Sequence, residues 1–507
     1  MTHPRRFSSY AVALTAFVYG LSFWRFPVRD PDLGWHLLGG AWMWHHHTVP
    51  SQDFINSFNY YWHDYHWLSQ LFLYSIFRVG GYTLLRLCFA LLMAGTGVLL
   101  VAIIERSSAR RPSGPLTLAL FFGAATLISE VFAVRPQIIA LVFIALTVHR
   151  LLRPPGAWEL PYLFVLTVLL VNIHVYWVVI PFLWFLSRCL PRLYRSHAPS
   201  AAYAWGGLAL LAASGFISPY GAIPSSATPP SVAMNYAVLW DYATMPAALR
   251  ANIREFRSGL AVPGPTPWLI LAYLVVFART FKVRRFLADA GQGLGAVIFL
   301  LLTIGSIKFV SIFAVTSLPY FAKHAGRALR VGLRSQPPAF ASRVAAVSLV
   351  ASLMVAAWSS RRINDSARDI GMEFPVAACR RIAGLGLSPV PPRDHLRVLT
   401  PFSDGGWCRW TLYQERPDLD FRVTTDGRTQ GVPVQRYLDA YDVYMVRNNW
   451  LETLQRWSPD VLLVPKSFPL ANVLLLAAPS FQLVFQDDSC AVFVPAQKPA
   501  GAPGTAS

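Results

Sequence analysis

The chain is short of acid and short of charge altogether. It sets 25 aspartates and glutamates against 44 lysines and arginines, and charged residues make up 14% of its 507 residues. A soluble domain carries about 25% charged residues, so the deficit points to lipid as the solvent for much of the chain. Three nucleotide and hydrolase signatures are missing: a phosphate-loop lysine, Gly-x-Gly-x-x-Gly and Gly-x-Ser-x-Gly. ATP-driven transport and serine hydrolysis therefore lack support. Cysteine is scarce, with five residues and no zinc-like spacing. Cys88 and Cys189 fall in apolar segments; Cys379, Cys408 and Cys490 fall near the C-terminus, where an oxidising compartment permits one disulfide and leaves one thiol. There is no internal repeat.

What is abundant is apolar surface: 54% of residues are hydrophobic and the mean hydropathy is +0.42. The net charge of +19 could suit nucleic acid, but its distribution argues against that partner. Arginines and lysines fall in short runs between apolar segments, as at Arg106-Arg110-Arg111, Arg150-Arg153, Arg188-Arg192-Arg195, Arg279-Lys282-Arg284-Arg285 and Lys323-Arg327-Arg330-Arg334. That is the positive-inside pattern, and it makes membrane lipids the partner.

A spanning helix needs roughly 20 mostly apolar residues. Such segments run near 8–27, 82–104, 116–133, 136–152, 159–173, 175–190, 203–218, 267–281, 290–304, 307–323 and 342–358. Alternating their ends puts every basic run on one side. The fold expected is a polytopic α-helical membrane protein of about eleven transmembrane helices, its N-terminus cytoplasmic and its first span an uncleaved anchor. Residues 1–358 would form the transmembrane domain, with extracytoplasmic loops at 28–81 and 219–266. Within the first loop, 35–47 and 64–79 have helical spacing but are too short or polar to span, and read as interfacial helices.

From about residue 359 to 497 the charges return, and a small extracytoplasmic α/β domain is expected, followed by a disordered tail at 498–507. Strand-like runs are Leu396–Leu399, Phe421–Thr424, Asp460–Pro465, Phe481–Phe485 and Cys490–Pro495. Helix-like runs are Val434–Tyr444, Asn449–Trp457 and Phe468–Ala477. Gly405-Gly406 and Asp426-Gly427-Arg428 read as turns.

The chemistry-bearing residues sit at the expected outer ends of the spans. Asp30-Pro31-Asp32 directly follows the first span and leads into Trp35-His36; carboxylates at a membrane surface are costly to keep. They suit activation of a hydroxyl, or holding a divalent cation such as magnesium or manganese, although an Asp before a helix also makes a good N-cap. Arg135, before Pro136, could grip a lipid phosphate or simply reach to the interface. Lys308, in the late hairpin after Gly305-Ser306-Ile307, offers the same two readings. His36, His66 and His174 could bond a sugar or phosphate, join a metal, or be packed and satisfied; Asp53, Gln137 and Asn172 are further substrate-binding candidates. Glu255 fits a binding role and a pair with Arg254 or Arg257 equally well. The run His45-His46-His47 cannot converge on one ion, because consecutive helical residues diverge. The first-loop aromatics, Trp35, Trp42, Trp44, Tyr60, Tyr61, Trp62, Tyr65 and Trp67, read mostly as an interface belt.

Several of these motifs together resemble one family. Asp-x-Asp-x-x-Trp-His-Leu at 30–37, Val49-Pro50-x-x-Asp53 and His66-Trp67-Leu68-Ser69-Gln70 resemble the first loop of a bacterial group of polytopic GT-C glycosyltransferases. That group is similar to the protein O-mannosyltransferases and the lipid A aminoarabinose transferases. Val134-Arg135-Pro136-Gln137, Val171-Asn172-Ile173-His174, Ser218-Pro219-Tyr220-Gly221 and Ile253-x-Glu255-Phe256 follow in order, as do Asp404-Gly405-Gly406 and Asp426-Gly427-Arg428. The chain departs from the group at Tyr65-His66, where His-Glu is usual, at Asn172-Ile173-His174-Val175 and at Lys308, often Arg.

The resemblance implies an inner-membrane enzyme that moves a sugar from a polyprenyl-phosphate donor to a lipid, glycan or protein hydroxyl, with an Asp general base and inversion at the anomeric carbon. Asp32 is favoured over Asp30, because Pro31 sets it off from the bilayer. A transporter or flippase of lipid-linked sugars, and a non-catalytic envelope assembly protein, are the competing classes.

Overall fold

The computed structural model describes residues 3–25, 30–58, 62–107, 114–194, 199–220, 253–328, 374–428, 434–477 and 480–496, with a few isolated positions between them. The span expected at 342–358, most of the second loop and the C-terminal tail lie outside the described residues. The chain forms two units, Met1–Val28 with Ile76–Asp369, and Arg29–Ser75 with Ile370–Ser507. The first loop thus groups with the C-terminal segment, not with the spans on either side of it.

The first unit is helical. The Trp67–Ser107 helix, which enters this unit at Ile76, has 41 residues and is long and apolar enough to cross a membrane. The backbone of that helix breaks at Gly80 and Gly81, where Gly81 adopts φ +57°, a left-handed value that glycine alone takes without strain. The break falls between the segments read from the sequence as an interfacial helix and a span. The other apolar helices described by length and composition run 10–17 residues: Tyr10–Trp24, Gly114–Ser129, Pro136–Leu151, Glu159–Val171, Ala201–Phe216, Thr266–Thr280 and Ala290–Gly305. Val310–Ala328 adds 19 residues with Pro319 inside. Where 175–190 was expected to be one span, tight turns at Val175–Val178 lead into a short Val179–Trp184 helix and then a wider π turn at Phe185–Cys189.

Small residues let these helices approach. A Cβ at Gly20 would lie 2.5 Å from the Ala94 backbone, and one at Gly97 would lie 2.8 Å from the Ala16 carbonyl. Burying Glu159 in this apolar unit would be costly alone. It accepts instead from Arg188 Nη2 at 2.5 Å and Tyr203 Oη at 2.7 Å, with Arg150 at 3.3 Å.

The second unit holds a five-stranded sheet ordered β2-β1-β3-β5-β4, with β1 Leu396–Leu399, β2 Phe421–Val423, β3 Val461–Pro465, β4 Phe481–Gln486 and β5 Cys490–Pro495. β1 runs parallel to β2 and β3, whereas β3-β5 and β5-β4 are antiparallel. All five strands fall where the sequence put them. Asn56 extends the β2 edge through a parallel bridge to Val423, with Ser57 N–H donating to the Val423 carbonyl and Val423 N–H to that of Ile55, both at 2.9 Å.

Two helices of this unit were not expected: Val376–Ala383 and Gly405–Glu415. The latter begins at the glycine pair read as a turn. It packs on the Leu33–His46 helix, where a Cβ at Gly34 would meet the Gly406 carbonyl oxygen at 2.5 Å. All five cysteines are free thiols, and Cys379, Cys408 and Cys490 are buried.

Candidate active site

The candidate residues fall into two clusters, one in each unit. In the second unit, Asp32 stands at the N-terminus of the Leu33–His46 helix without its side chain capping that helix. Its Oδ1 instead accepts the Trp35 indole N–H at 3.1 Å. Asp30 is buried; its Oδ1 accepts from Asp32 N–H at 2.8 Å, and its carbonyl accepts from the Trp407 indole at 2.7 Å. The chain around both carboxylates is therefore held by two tryptophans on different elements.

The Trp35 and His36 rings lie tilted by 35° with centroids 3.6 Å apart, and the His36 and His66 rings meet edge to face at 5.2 Å. Trp35, Trp62 and Tyr65 are buried in this unit, so they pack the cluster where an interface belt was expected. Asp64, which sequence reasoning did not select, sits under the histidines. It accepts from Gln70 Nε2 at 2.8 Å and from His66 N–H at 3.1 Å. Burial pushes its carboxyl up to about 7, against the pull of the His66 N–H, Arg428 and Gln70. The Leu33–His46 helix clears this group because it carries Gly39, whose Cβ would lie 1.9 Å from Gln70 Oε1.

Asp53 is engaged on both oxygens. Arg428 Nη2 donates to each at 3.0 Å, Ile55 N–H to Oδ1 at 2.9 Å and Asn56 Nδ2 to Oδ2 at 2.8 Å. Arg428 also donates to Asp426, at 2.6 Å through Nη2 and 2.8 Å through Nε, and its guanidinium covers the Trp62 ring at 4.4 Å. Burial disfavours the Arg428 charge, but Asp426 and Asp53 outweigh it and hold the group protonated. Arg428, Asp426 and Trp62 were missed as site residues, though the Asp-Gly-Arg turn was visible.

In the first unit, Arg135 pairs with Glu255, and the Lys308 ammonium lies 5.2 Å from the centre of the Phe256 ring. Burial opposes ionisation of Glu255, yet Arg135 and then Lys308 hold its carboxyl below the usual range. The pairing with Arg254 or Arg257 that the sequence suggested is replaced by Arg135; Arg254 reaches Glu130 instead, at 3.6 Å. Gln137 Nε2 donates to Tyr176 Oη at 3.0 Å, and Tyr176 Oη donates to the Lys308 carbonyl at 2.8 Å. Ser306 Oγ donates to the Glu255 carbonyl at 2.8 Å, which ties the turn before Lys308 to the segment that carries Glu255.

Asn172 and His174 are used differently. Asn172 Nδ2 donates to the carbonyls of Val168 and Ile217, at 2.8 and 3.0 Å. His174 Nδ1 accepts from Tyr176 N–H at 3.2 Å and caps the turn that carries Tyr176. The structure thus brings together Asp30, Asp32, His36, Asp53 and His66 in one unit, and Arg135, Gln137, Glu255 and Lys308 in the other.

A hard divalent cation asks for about six oxygen donors. Asp30 and Asp32 each already accept an N–H, and among the described residues no three His, Cys, Asp or Glu side chains converge. Among the described residues, the donors present do not make a cation site.

No family model matches the sequence, and no curated protein matches it. Solved structures do match. The archaeal oligosaccharyltransferase AglB of Archaeoglobus fulgidus, with an inhibitory peptide and a dolichol-phosphate, aligns over 90% of this chain and 69% of its own, at 11% identity and a TM-score of 0.50. The Archaeoglobus fulgidus oligosaccharyltransferase with zinc and sulfate aligns over 97% and 73%, at 13% identity and 0.51. These likenesses show the fold, which is that of the two oligosaccharyltransferase structures. ArnT of Cupriavidus metallidurans, bound to undecaprenyl phosphate, aligns over 98% and 99% at 14% identity and a TM-score of 0.47.

Proposed function

We propose that this protein is an inner-membrane GT-C glycosyltransferase that moves a sugar from a polyprenyl-phosphate carrier to a lipid, glycan or protein hydroxyl on the extracytoplasmic face. The observation that carries the reading is Asp32. It stands in the N-cap position yet leaves the helix uncapped and turns its carboxylate to the Trp35 indole. A carboxylate whose only use was capping would bond the first helical N–H groups. The GT-C fold and the cationic cluster around Glu255 support the same reading.

In this chemistry the acceptor hydroxyl oxygen attacks the anomeric carbon from the face opposite the phosphate. The new C–O bond forms as the sugar–phosphate C–O bond breaks, with inversion. Asp32 takes the hydroxyl proton, and the electron pair leaves on the polyprenyl phosphate. A departing phosphate needs cations to stabilise its charge, and in the first unit Arg135 and Lys308, with Glu255 beside the guanidinium, are the residues whose chemistry suits that task. His36 and His66 are the candidates for bonding sugar hydroxyls. Asp30 orders the backbone before Asp32 and is the second candidate base.

The test is a deletion in the native host, complemented with wild type, Asp30→Asn and Asp32→Asn. Glycans of its lipids, envelope polymers and secreted proteins are then profiled after the variants are shown to reach the membrane. Loss of one glycoform in the deletion strain, restored by wild type and not by Asp32→Asn, supports the proposal. Full restoration by both Asn variants removes the proposed base, and an unchanged glycan profile on deletion removes the transferase.

A further inference from the structure

We infer that the Asp426-Gly427-Arg428 turn is a positioning element for Asp32, which makes the C-terminal segment part of the transfer machinery. The inference rests on the transferase reading and assigns a task to residues that reading leaves unused. The key observation is a close approach: a Cβ on Gly427 would lie 2.1 Å from Asp32 Oδ1 and 3.6 Å from Trp35 Nε1. Real Cβ atoms do not come so near an oxygen, so Asp32 Oδ1 lies in the space that a Cβ at 427 would need. The same Oδ1 receives the Trp35 indole N–H. One carboxylate oxygen is thus held beside a glycine by an indole N–H, which limits how the carboxylate can turn.

The turn cannot easily move aside. On its N-terminal flank, Thr425 Oγ1 donates to the Thr400 carbonyl at 2.7 Å, and Thr400 Oγ1 donates back to the Thr425 carbonyl at 2.8 Å. On its C-terminal flank, Arg428 N–H and Nε bond Asp426 while Nη2 bonds Asp53. Asp53 in turn holds Ile55 and Asn56, which pair with β2. Thr425, Asp426 and Arg428 are all buried. A rigid strand end, a buried ion cluster and a glycine therefore form a fixed stop against the candidate base. A misplacement of about 1 Å at a reacting group can cost roughly a hundredfold in rate, so such a stop bears on turnover.

The experiment adds purified full-length protein to membranes of the deletion strain, which carry the natural donor and acceptor. The restored glycan is followed by mass spectrometry as the amount of membrane is varied. Rates are taken per mole of folded protein, scored by its melting transition. Gly427→Ala is expected to lower the maximal rate about tenfold or more, while the half-saturating amount of membranes stays within about twofold. Trp35→Phe, which removes the donor to Asp32 Oδ1 and keeps an aromatic ring, is expected to lower the same quantity in the same way, and it decides the matter if Gly427→Ala does not fold. Maximal rates within about twofold of wild type for the folded variants overturn the positioning role, as does a change confined to the half-saturating amount. If wild-type protein restores nothing to these membranes, the transferase reading falls and takes this inference with it.

Discussion

At the scale of single residues, the second unit concentrates buried charge, and each buried group has a different consequence. Arg428 pairs with both Asp53 and Asp426 in a fully buried cluster. Arg428→Ala leaves two carboxylates buried without their cation, which is expected to cost about 3–5 kcal/mol of stability in denaturant titration. Arg428→Lys is expected to recover only part, because an ammonium cannot serve two carboxylates through a planar fork. Asp64 makes a pH-dependent prediction. Its folded carboxyl is raised from the ordinary value to about 7, so between about pH 4 and 7 the folded state binds the proton that the unfolded chain has lost. Its contribution therefore weakens stability as pH rises through that window and levels off above it. Asp64→Asn is expected to melt higher than wild type at pH 8 and to lose that advantage toward pH 4. A constant difference across the range would remove the assignment. The candidate bases were legible from the sequence because Asp-Pro-Asp follows an apolar run; Asp64 was not, since its weight comes from burial beside Gln70 and His66.

At the scale of elements, the five strands were readable because short β-branched and aromatic runs stood between turn residues. The Gly405–Glu415 helix was not readable, for a physical reason. A glycine pair is a poor helix start by propensity and a good turn. Here it is demanded by packing: a Cβ at Gly405 would lie 1.9 Å from the Thr425 carbonyl, and one at Gly406 would lie 3.0 Å from the Trp35 ring. Tertiary contact overrode local preference, and sequence spacing carries no sign of it. The crossing with the Leu33–His46 helix predicts that Gly34→Ala destabilises by about 1–3 kcal/mol through overpacking, measured as a drop in melting temperature of the full-length protein. An unchanged melting temperature would mean that the two helices part without cost.

At the scale of the whole molecule, the interleaving of residues 29–75 with 370–507 was the least legible feature, because it joins segments about three hundred residues apart through hydrogen bonds such as Trp407 to Asp30 and Arg428 to Asp53. The helical unit was legible from its apolar runs, and the break at Gly80-Gly81 lies where two of them were parted. Removing residues 370–507 is expected to leave Trp35, Trp62 and Asp53 without their packing partners, so the truncated chain should fail to accumulate in membranes. Accumulation of a truncated protein at the full-length level would show that the first loop folds alone.

The central claim is that sugar leaves a polyprenyl phosphate under the action of Asp32. The most direct measurement adds purified protein to deletion-strain membranes and quantifies free polyprenyl phosphate together with the glycosylated acceptor. The account predicts that both rise one for one with wild type, and that neither rises with Asp32→Asn. Equal release and transfer by Asp32→Asn would contradict it, as would transfer of sugar with no polyprenyl phosphate released.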